Sequence, residues 1–404
     1  MNNNSIRFDQ SGFTLLELLL VVTLLSTTAF MTLSAVENNS DQIRFEDTRN
    51  RLSLFRTAIL GSNNLAPAPG DPLTGYVVDN GVLPGNIDAL VNLPANFDPY
   101  ILMDPIFDPN PDSNGWNNGP ALPAVGGEIP LSNPAQQLLK GHRNFYLQGA
   151  SNGFYRDGWG TTGVGGGGGG GVDCPTDPLP VGGGEGNLND ALNHGWCVTT
   201  QLATVGPFTG QPNNFFADSA GRDSVAGALT GDFYEQDIVM QEPVQQTDWQ
   251  TTIQALTTVT IVNASGVDIN LSDATSPPVL NTNLRAALLF YRNDFNAGTS
   301  GQWRRVSTDI SLAGCLDGTG DGLCNGNAAA PAPPKTTAAF PANVQGVPAG
   351  EHLLVLVDDV DGTINTNDDT TTLTAGIGTA GFVNGTRVRF YPRGGTPTLQ
   401  LTIR

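Results

Sequence analysis

The first sixty residues of the chain divide into a polar start, an apolar run and an amphipathic stretch. Residues 1–12 are polar, and residues 18–36 contain no charged side chain. At 1.5 Å per residue, that uncharged run forms about 28 Å of helix, which is just enough to cross the hydrocarbon layer of a bilayer. The pattern therefore predicts a helix whose first half, 13–36, is suited to a membrane.

The helix is expected to continue well beyond the apolar run. Residues 13–60 contain no glycine or proline, although the chain has 50 Gly and 28 Pro. One continuous helix of about 70 Å is predicted, ending at Gly61 in the left-handed conformation that favours glycine. Its second half is amphipathic, and the apolar residues at helical spacing are Phe45, Leu52, Phe55 and Ile59. The charged residues expected on the wetter face are Asp41, Arg44, Glu46, Asp47, Arg49, Arg51 and Arg56.

The remainder, residues 61–404, is predicted to be a large β-rich head with long loops. Candidate strands are 253–262, 284–291, 352–357, 386–391 and 398–403, and the stretch 284–291 suits a helical turn equally well. A glycine run lies within 161–190, and it either splits the head into two lobes or forms an insertion in one. The fold class expected is α+β: a long N-terminal helix packed on an antiparallel β head.

A small residue stands before the apolar run rather than after it. An ordinary secretory signal places its cleavage site after the apolar segment, so a cut after Gly12 would instead remove the polar leader and keep the helix. The cut would free the amine of Phe13. Glu17, a carboxylate one turn inside the apolar helix, needs such a partner. That amine belongs either to the same subunit or to a neighbour in a filament, where the pair would set the register.

The sequence GFTLLELLLVVTLL, residues 12–25, resembles the class III signal of type IV prepilins and type II secretion pseudopilins. The resemblance implies that an inner-membrane prepilin peptidase cuts between Gly12 and Phe13 and methylates Phe13. It also implies that Glu17 is the carboxylate used in assembly. The chain departs from the family in having only Arg7 as a basic residue before the cut.

A second resemblance covers three residues of the head. Asp157, Trp159 and Gly160 match the Asp-x-Trp-Gly motif of pseudopilin heads, where the aromatic ring and the glycine shape a turn into the sheet. An ordinary aromatic-glycine turn is the alternative. Both interpretations make Trp159 a structural residue.

Four cysteines fall into two close pairs, Cys174 with Cys197 and Cys315 with Cys324. An even count in an exported protein favours disulfides. Pairing by proximity is one arrangement, and other pairings stay open. The spacing does not match a zinc site.

Two acidic clusters are candidate calcium (Ca²⁺) sites, because carboxylate and amide oxygens around a glycine turn are suitable ligands. Bound calcium in pseudopilin heads makes the interpretation consistent with the resemblance, and ordinary Asp-Gly and Asn-Gly turns are the alternative. The residues are Asp317, Asp321 and Asn325 in the first cluster, and Asp358, Asp359, Asp361 and Asn365 in the second.

No catalytic pattern stands out elsewhere. His142, His194 and His352 are far apart in the sequence, and we expect them to be isolated surface residues. The net charge of −20 disfavours nucleic acid as a partner. The chain is therefore not expected to be an enzyme.

The function expected from these features is that of a minor pilin or pseudopilin in a type IV pilus or type II secretion filament. Its partners would be the prepilin peptidase, other pilin or pseudopilin subunits and the inner membrane. A large head and the absence of a mid-helix proline favour a minor subunit. The alternatives are a pilus-tip adhesin or substrate-binding head, and a membrane-tethered periplasmic protein outside any filament.

Overall fold

The structure is a computed structural model of the 404-residue chain. It describes residues 14–61, 73–95, 97–103, 138–143, 145–147, 153–162, 190–203, 210–223, 232–253, 257–264, 266, 269–270, 284–293, 302–309, 315–316, 335–336, 344–358, 385–391 and 397–404.

Helix α1, Leu15–Leu60, is the longest element and contains 46 residues. The predicted long N-terminal helix is therefore confirmed, and it ends at Gly61. The φ of Gly61 is +91° as a glycine allows, but its ψ of 159° is not that of the left-handed cap predicted from the sequence. The backbone of Thr74 packs closely against Gly61, since a Cβ on Gly61 would lie 2.0 Å from the Thr74 carbonyl oxygen.

The second half of α1 packs on the head through the predicted apolar stripe. Leu52, Phe55 and Ile59 are buried in one hydrophobic cluster that also contains Trp196 and Phe215. The ring of Phe55 lies edge-on to that of Trp196, with 5.1 Å between ring centroids. The 3.6-residue periodicity therefore places one face of α1 in the core.

The other helices are short, and the strands are mostly brief. After α1, the described helices are α2 Tyr76–Asn80, α3 Asp88–Val91, α4 Asp190–Asn193, α5 Gln246–Trp249 and a 3-10 helix, Phe233–Glu235. The first eight strands are β1 Ile101–Met103, β2 Leu138–Lys140, β3 Cys197–Leu202, β4 Pro212–Ser219, β5 Ile238–Val239, β6 Gln250–Ile253, β7 Val259–Asn263 and β8 Ile269–Asn270. The others are β9 Leu284–Arg292, β10 Gln302–Asp309, β11 Cys315–Leu316, β12 Lys335–Thr336, β13 Val344–Pro348, β14 Gly350–Asp358, β15 Thr386–Phe390 and β16 Leu399–Ile403.

The described strands form several small sheets. The largest has the order β10-β9-β14-β15, and the three-stranded sheets are β3-β4-β5 and β12-β7-β16. Two-stranded pairs are formed by β1 with β2, β6 with β13 and β8 with β11. The α+β layout with antiparallel sheets is confirmed, with one correction: β7 and β16 pair in parallel.

Four of the five predicted strands correspond to observed strands. Residues 284–291 belong to β9 and not to a helical turn, because β10 and β14 pair along its two edges. The prediction of a single strand over 253–262 is wrong: β6 pairs with β13, whereas β7 pairs with β16 and β12. Residues 163–189 lie outside the described residues, so a division of the head near 161–190 stays a prediction.

Two glycines with nearly equal φ angles provide a test of close packing in the head. Gly81 has a φ of +67° and ends α2 where a Cβ would lie 2.0 Å from the Tyr291 carbonyl oxygen, whereas Gly160 has a φ of +70° with open space around it. Gly160→Ala should cost about 1 kcal/mol through its backbone conformation alone. Gly81→Ala should cost about 3 kcal/mol or more, because the steric clash is added. Thermal unfolding of the full chain in detergent measures both, and equal losses would contradict the packing.

Candidate assembly site on the amino-terminal helix

Thr14 and Glu17 form a capping box at the start of α1. The Thr14 hydroxyl accepts a hydrogen bond from the Glu17 backbone N–H at 3.3 Å. In return, Oε2 of Glu17 accepts from the Thr14 backbone N–H at 3.0 Å and from its hydroxyl at 3.1 Å. The box supplies polar partners to the helix terminus and to the carboxylate. Gly12 and Phe13, the predicted cleavage residues, lie outside the described residues.

The first half of α1 stands clear of the head. Every residue from 14 to 39 is exposed, including Leu15 at 82%, Phe30 at 75% and Val36 at 65%. Among the described residues, α1 is the one helix that is long and apolar enough to cross a membrane. That length and composition suit a membrane anchor or a signal sequence.

The hydroxyl groups in this exposed half are satisfied within the helix itself. Thr23 donates to the carbonyl oxygens of Leu19 and Leu20, and the same pattern recurs down the helix. The other residues that donate to carbonyl oxygens three or four positions earlier are Ser26, Thr27, Thr28, Thr32 and Ser34. Such bonds leave no hydroxyl donor unpaired in an apolar environment.

An aromatic cluster marks the point where α1 enters the head. The ring of Phe45 lies 5.0 Å from that of Phe233, 6.1 Å from that of Tyr234 and 6.5 Å from that of Trp159. Phe45 is partly buried there. The amphipathic half of α1 therefore contacts two separate parts of the head, the turn that contains Trp159 and the 3-10 helix Phe233–Glu235.

Ion pairs along the same side of α1 correct part of the predicted wet face. Asp41 pairs with Arg222 at 2.8 Å, and Arg56 pairs with the buried Asp248 at 3.1 Å. Arg51 donates to the carbonyl oxygen of Arg156 at 2.8 Å. These three predicted wet-face residues therefore lie at the junction with the head, where each meets a polar partner on the head.

The Asp157–Gly160 turn docks directly on α1. Buried Asp157 accepts from the backbone and hydroxyl of Thr161 at 2.8 and 2.6 Å and from the Ser219 hydroxyl at 2.7 Å. The next residue, Gly158, donates its N–H to the Thr48 hydroxyl of α1 at 2.9 Å. The Asp157 carboxylate therefore attaches the turn to strand β4, and the N–H of Gly158 attaches the same turn to helix α1.

The cysteine and calcium predictions fall largely outside the described residues. Cys197 is disulfide-bonded, but the side chains of the other three cysteines are not described, so the pairing stays a prediction. Asp358 is described only as a backbone residue of β14, and the undescribed candidate ligands are Asp317, Asp321, Asn325, Asp359, Asp361 and Asn365. No group of acidic, histidine or cysteine side chains able to hold a metal ion occurs within the described part of the chain.

The expectation that the three histidines lie on the surface is wrong. His142, His194 and His352 are each only 1% exposed. Nε2 of His352 donates to the Pro348 carbonyl oxygen at 2.7 Å, and His194 lies 3.3 Å from a carboxylate oxygen of Asp88. Burial, together with the charge of nearby Lys140, lowers the pKa of His352 to about 3.

Two features of the site were missed at the sequence level. The capping box has a readable signal, since Thr14 precedes Glu17 by three residues. Asp41 pairs with Arg222, which is 181 positions away in the sequence, and no local sequence pattern predicts this contact.

Comparison with known proteins adds no relative to this picture. No family model, curated protein or solved structure matches the chain.

The contact between Gly158 and α1 can be tested by adding one methyl group. A Cβ on Gly158 would lie 2.2 Å from the backbone oxygen of Arg44, whereas a Cβ on Gly153 of the same loop would meet nothing within 4 Å. Gly158→Ala should therefore loosen the helix, and we expect tryptic cleavage at Arg51 to be at least about tenfold faster. Gly153→Ala is the control: its positive φ of +80° gives it backbone strain but no clash with α1. Unchanged cleavage in Gly158→Ala would contradict the docking.

The buried His352 predicts a loss of stability in mild acid. Its folded-state pKa of about 3 lies below the ordinary value, so the unfolded chain binds the proton first as the pH falls below about 6.5. Between pH 7 and pH 5 this difference should cost about 2 kcal/mol, and His352→Gln should abolish that loss. Asp79, whose pKa burial raises to about 6, acts in the opposite direction in both proteins and cancels in the comparison. Urea unfolding at each pH gives the free energy of unfolding of both proteins. If this free energy falls equally with pH in the native protein and in His352→Gln, the assignment is refuted.

Proposed function

We propose that the chain is a minor pilin or pseudopilin: a structural, non-enzymatic subunit of a type IV pilus or type II secretion filament. The observation that carries the proposal is the division of α1 into two halves. The first half exposes its apolar side chains over residues 14–39, and the second half buries Leu52, Phe55 and Ile59 in the head. One helix thus has an apolar surface to be covered by lipid or by other helices.

The position of Glu17 gives this surface a specific role. A carboxylate near the start of an apolar helix is costly in lipid unless it has a partner. Hydrolysis of the Gly12–Phe13 bond would supply a cationic amine on each processed subunit. Pairing of that amine with Glu17 of a neighbour would fix the axial register of a filament, which is a well-attested use of buried ion pairs.

The proposed route begins at the inner membrane. The helix would anchor the precursor there with its head in the periplasm, and the prepilin peptidase would remove residues 1–12. The subunit would then leave the bilayer by packing α1 against the helices of other subunits. The exposed apolar half of α1 is compatible with both environments, because its hydroxyl groups are bonded within the helix.

The large head supports a minor or tip position rather than a repeating one. Residues 61–404 make up most of the chain, and a filament that repeated such a head at every subunit would need room for it at every position. A continuous α1 without proline is also consistent with a specialised subunit.

Replacement of the carboxylate tests the proposed function. Glu17→Gln should remove the charge that a neighbour's amine neutralises, and breaking a buried pair costs about 3–5 kcal/mol. We expect incorporation into sheared filaments or the pseudopilus fraction to fall by more than about a hundredfold. Glu37→Gln, on the same helix just beyond the apolar run, is the matched control and should incorporate normally.

Mass spectrometry of the amino terminus provides an independent check. A methylated Phe13 is expected in the processed protein. An intact Met1, together with normal incorporation of Glu17→Gln, would instead support a simple membrane tether.

A further inference from the structure

Only one of the two carboxylate oxygens of Glu17 is used within its own helix. Oε2 accepts both the backbone N–H and the hydroxyl of Thr14. Within the described residues, no group donates to Oε1. The carboxylate is thus held at one oxygen and open at the other.

We propose that Thr14 is the positioning residue for Glu17: by holding Oε2, it presents Oε1 to the cationic amino terminus of a neighbouring subunit. The inference rests on the proposed function and deepens it, because it names the residue that prepares the assembly carboxylate. The partner it fits is a single protonated amine, since that group donates to one carboxylate oxygen without needing a two-pronged contact.

The geometry of the box explains how Thr14 orients the carboxylate. Its hydroxyl donates to Oε2 and simultaneously accepts from the Glu17 N–H, so the two side chains fix each other. Threonine is β-branched and has few χ1 rotamers, which adds stiffness. A glutamate that is already ordered loses less rotamer freedom when a partner binds, so the box favours association by preorganisation.

The box is also retained through processing. The bond broken by the peptidase lies between Gly12 and Phe13, so the N–H of Thr14 remains part of an amide in the mature subunit. The hydrogen bond from that N–H to Glu17 is therefore available before and after cleavage. Hydrogen bonds from a hydroxyl and an N–H to one carboxylate oxygen are stronger in lipid, where water is absent, than in water.

Two substitutions of Thr14 separate its hydroxyl from its shape. Thr14→Val keeps the branched outline and the backbone N–H but has no hydroxyl to donate to Oε2, and Thr14→Ser restores the hydroxyl. We expect Thr14→Val to lower incorporation into the filament fraction about tenfold, which corresponds to the loss of one such cap. Thr14→Ser should stay within about twofold of the native protein. The fraction of chains that have lost residues 1–12, measured by mass spectrometry, should be the same in all variants.

A second readout does not depend on assembly. The infrared carboxylate band of Glu17 is the one that disappears in Glu17→Gln, and it can be measured on the full chain in detergent. Thr14→Val should shift this band and Thr14→Ser should restore it. Because Thr14→Ser keeps the hydroxyl that Thr14→Val lacks, a shift seen in the valine variant and absent from the serine variant identifies the effect of that hydroxyl on the carboxylate.

The outcomes distinguish this inference from the proposed function. If Glu17→Gln blocks incorporation but Thr14→Val leaves both incorporation and the band unchanged, the positioning role is overturned and the proposed function stands. If Thr14→Ser fails as badly as Thr14→Val, the hydroxyl is not responsible and the positioning role is again overturned. If Glu17→Gln incorporates normally, the proposed function itself fails.

Discussion

Phe55 is the central residue in the packing of the amino-terminal helix against the head. Its fully buried ring contacts the rings of Tyr155, Trp196 and Phe215, with centroids 5.1–6.2 Å apart. Edge-to-face packing of this kind adds to the area that each aromatic side chain buries. Because the second half of α1 belongs to this core, the direction of its first half is set by the head. The exposed apolar surface of residues 14–39 is therefore a consequence of where the helix is held.

Polar contacts complete the junction where apolar packing ends. Gly158 approaches the backbone of α1 so closely that a side chain does not fit, and its N–H meets the hydroxyl of Thr48. Asp157 holds this turn by accepting three hydrogen bonds, while Arg222 connects Asp41 to a second loop. The core fixes how deeply the helix sits, and these directional bonds fix its rotation.

The sequence predicted the long helix from local pattern and missed the features that depend on distant partners. The helix was predictable because residues 13–60 lack glycine and proline; the Thr14–Glu17 box was missed, although its spacing is a local signal. The break between β6 and β7 was not predictable from the sequence, because their partners β13 and β16 come from the far end of the chain. His352 was misplaced for a similar reason: its ring packs against those of Phe290 in β9 and Phe390 in β15, and a lone histidine in the sequence does not reveal these neighbours.

The continuity of α1 couples the junction to the carboxylate at its tip. Glu17 and Phe55 are 38 residues apart, which is about 57 Å along a helix. A tilt of about 5° at the junction would move Glu17 by about 5 Å, a displacement that the proposed hydrogen bond to a neighbouring subunit would not tolerate. A single contact at Phe55 would leave that tilt free. Contacts spread from Asp41 to Ile59 restrain it, because they hold the helix over about 27 Å of its length. In the proposed assembly, the contacts with the head would set the direction of the helix, and that direction would set the position of the single carboxylate at its other end.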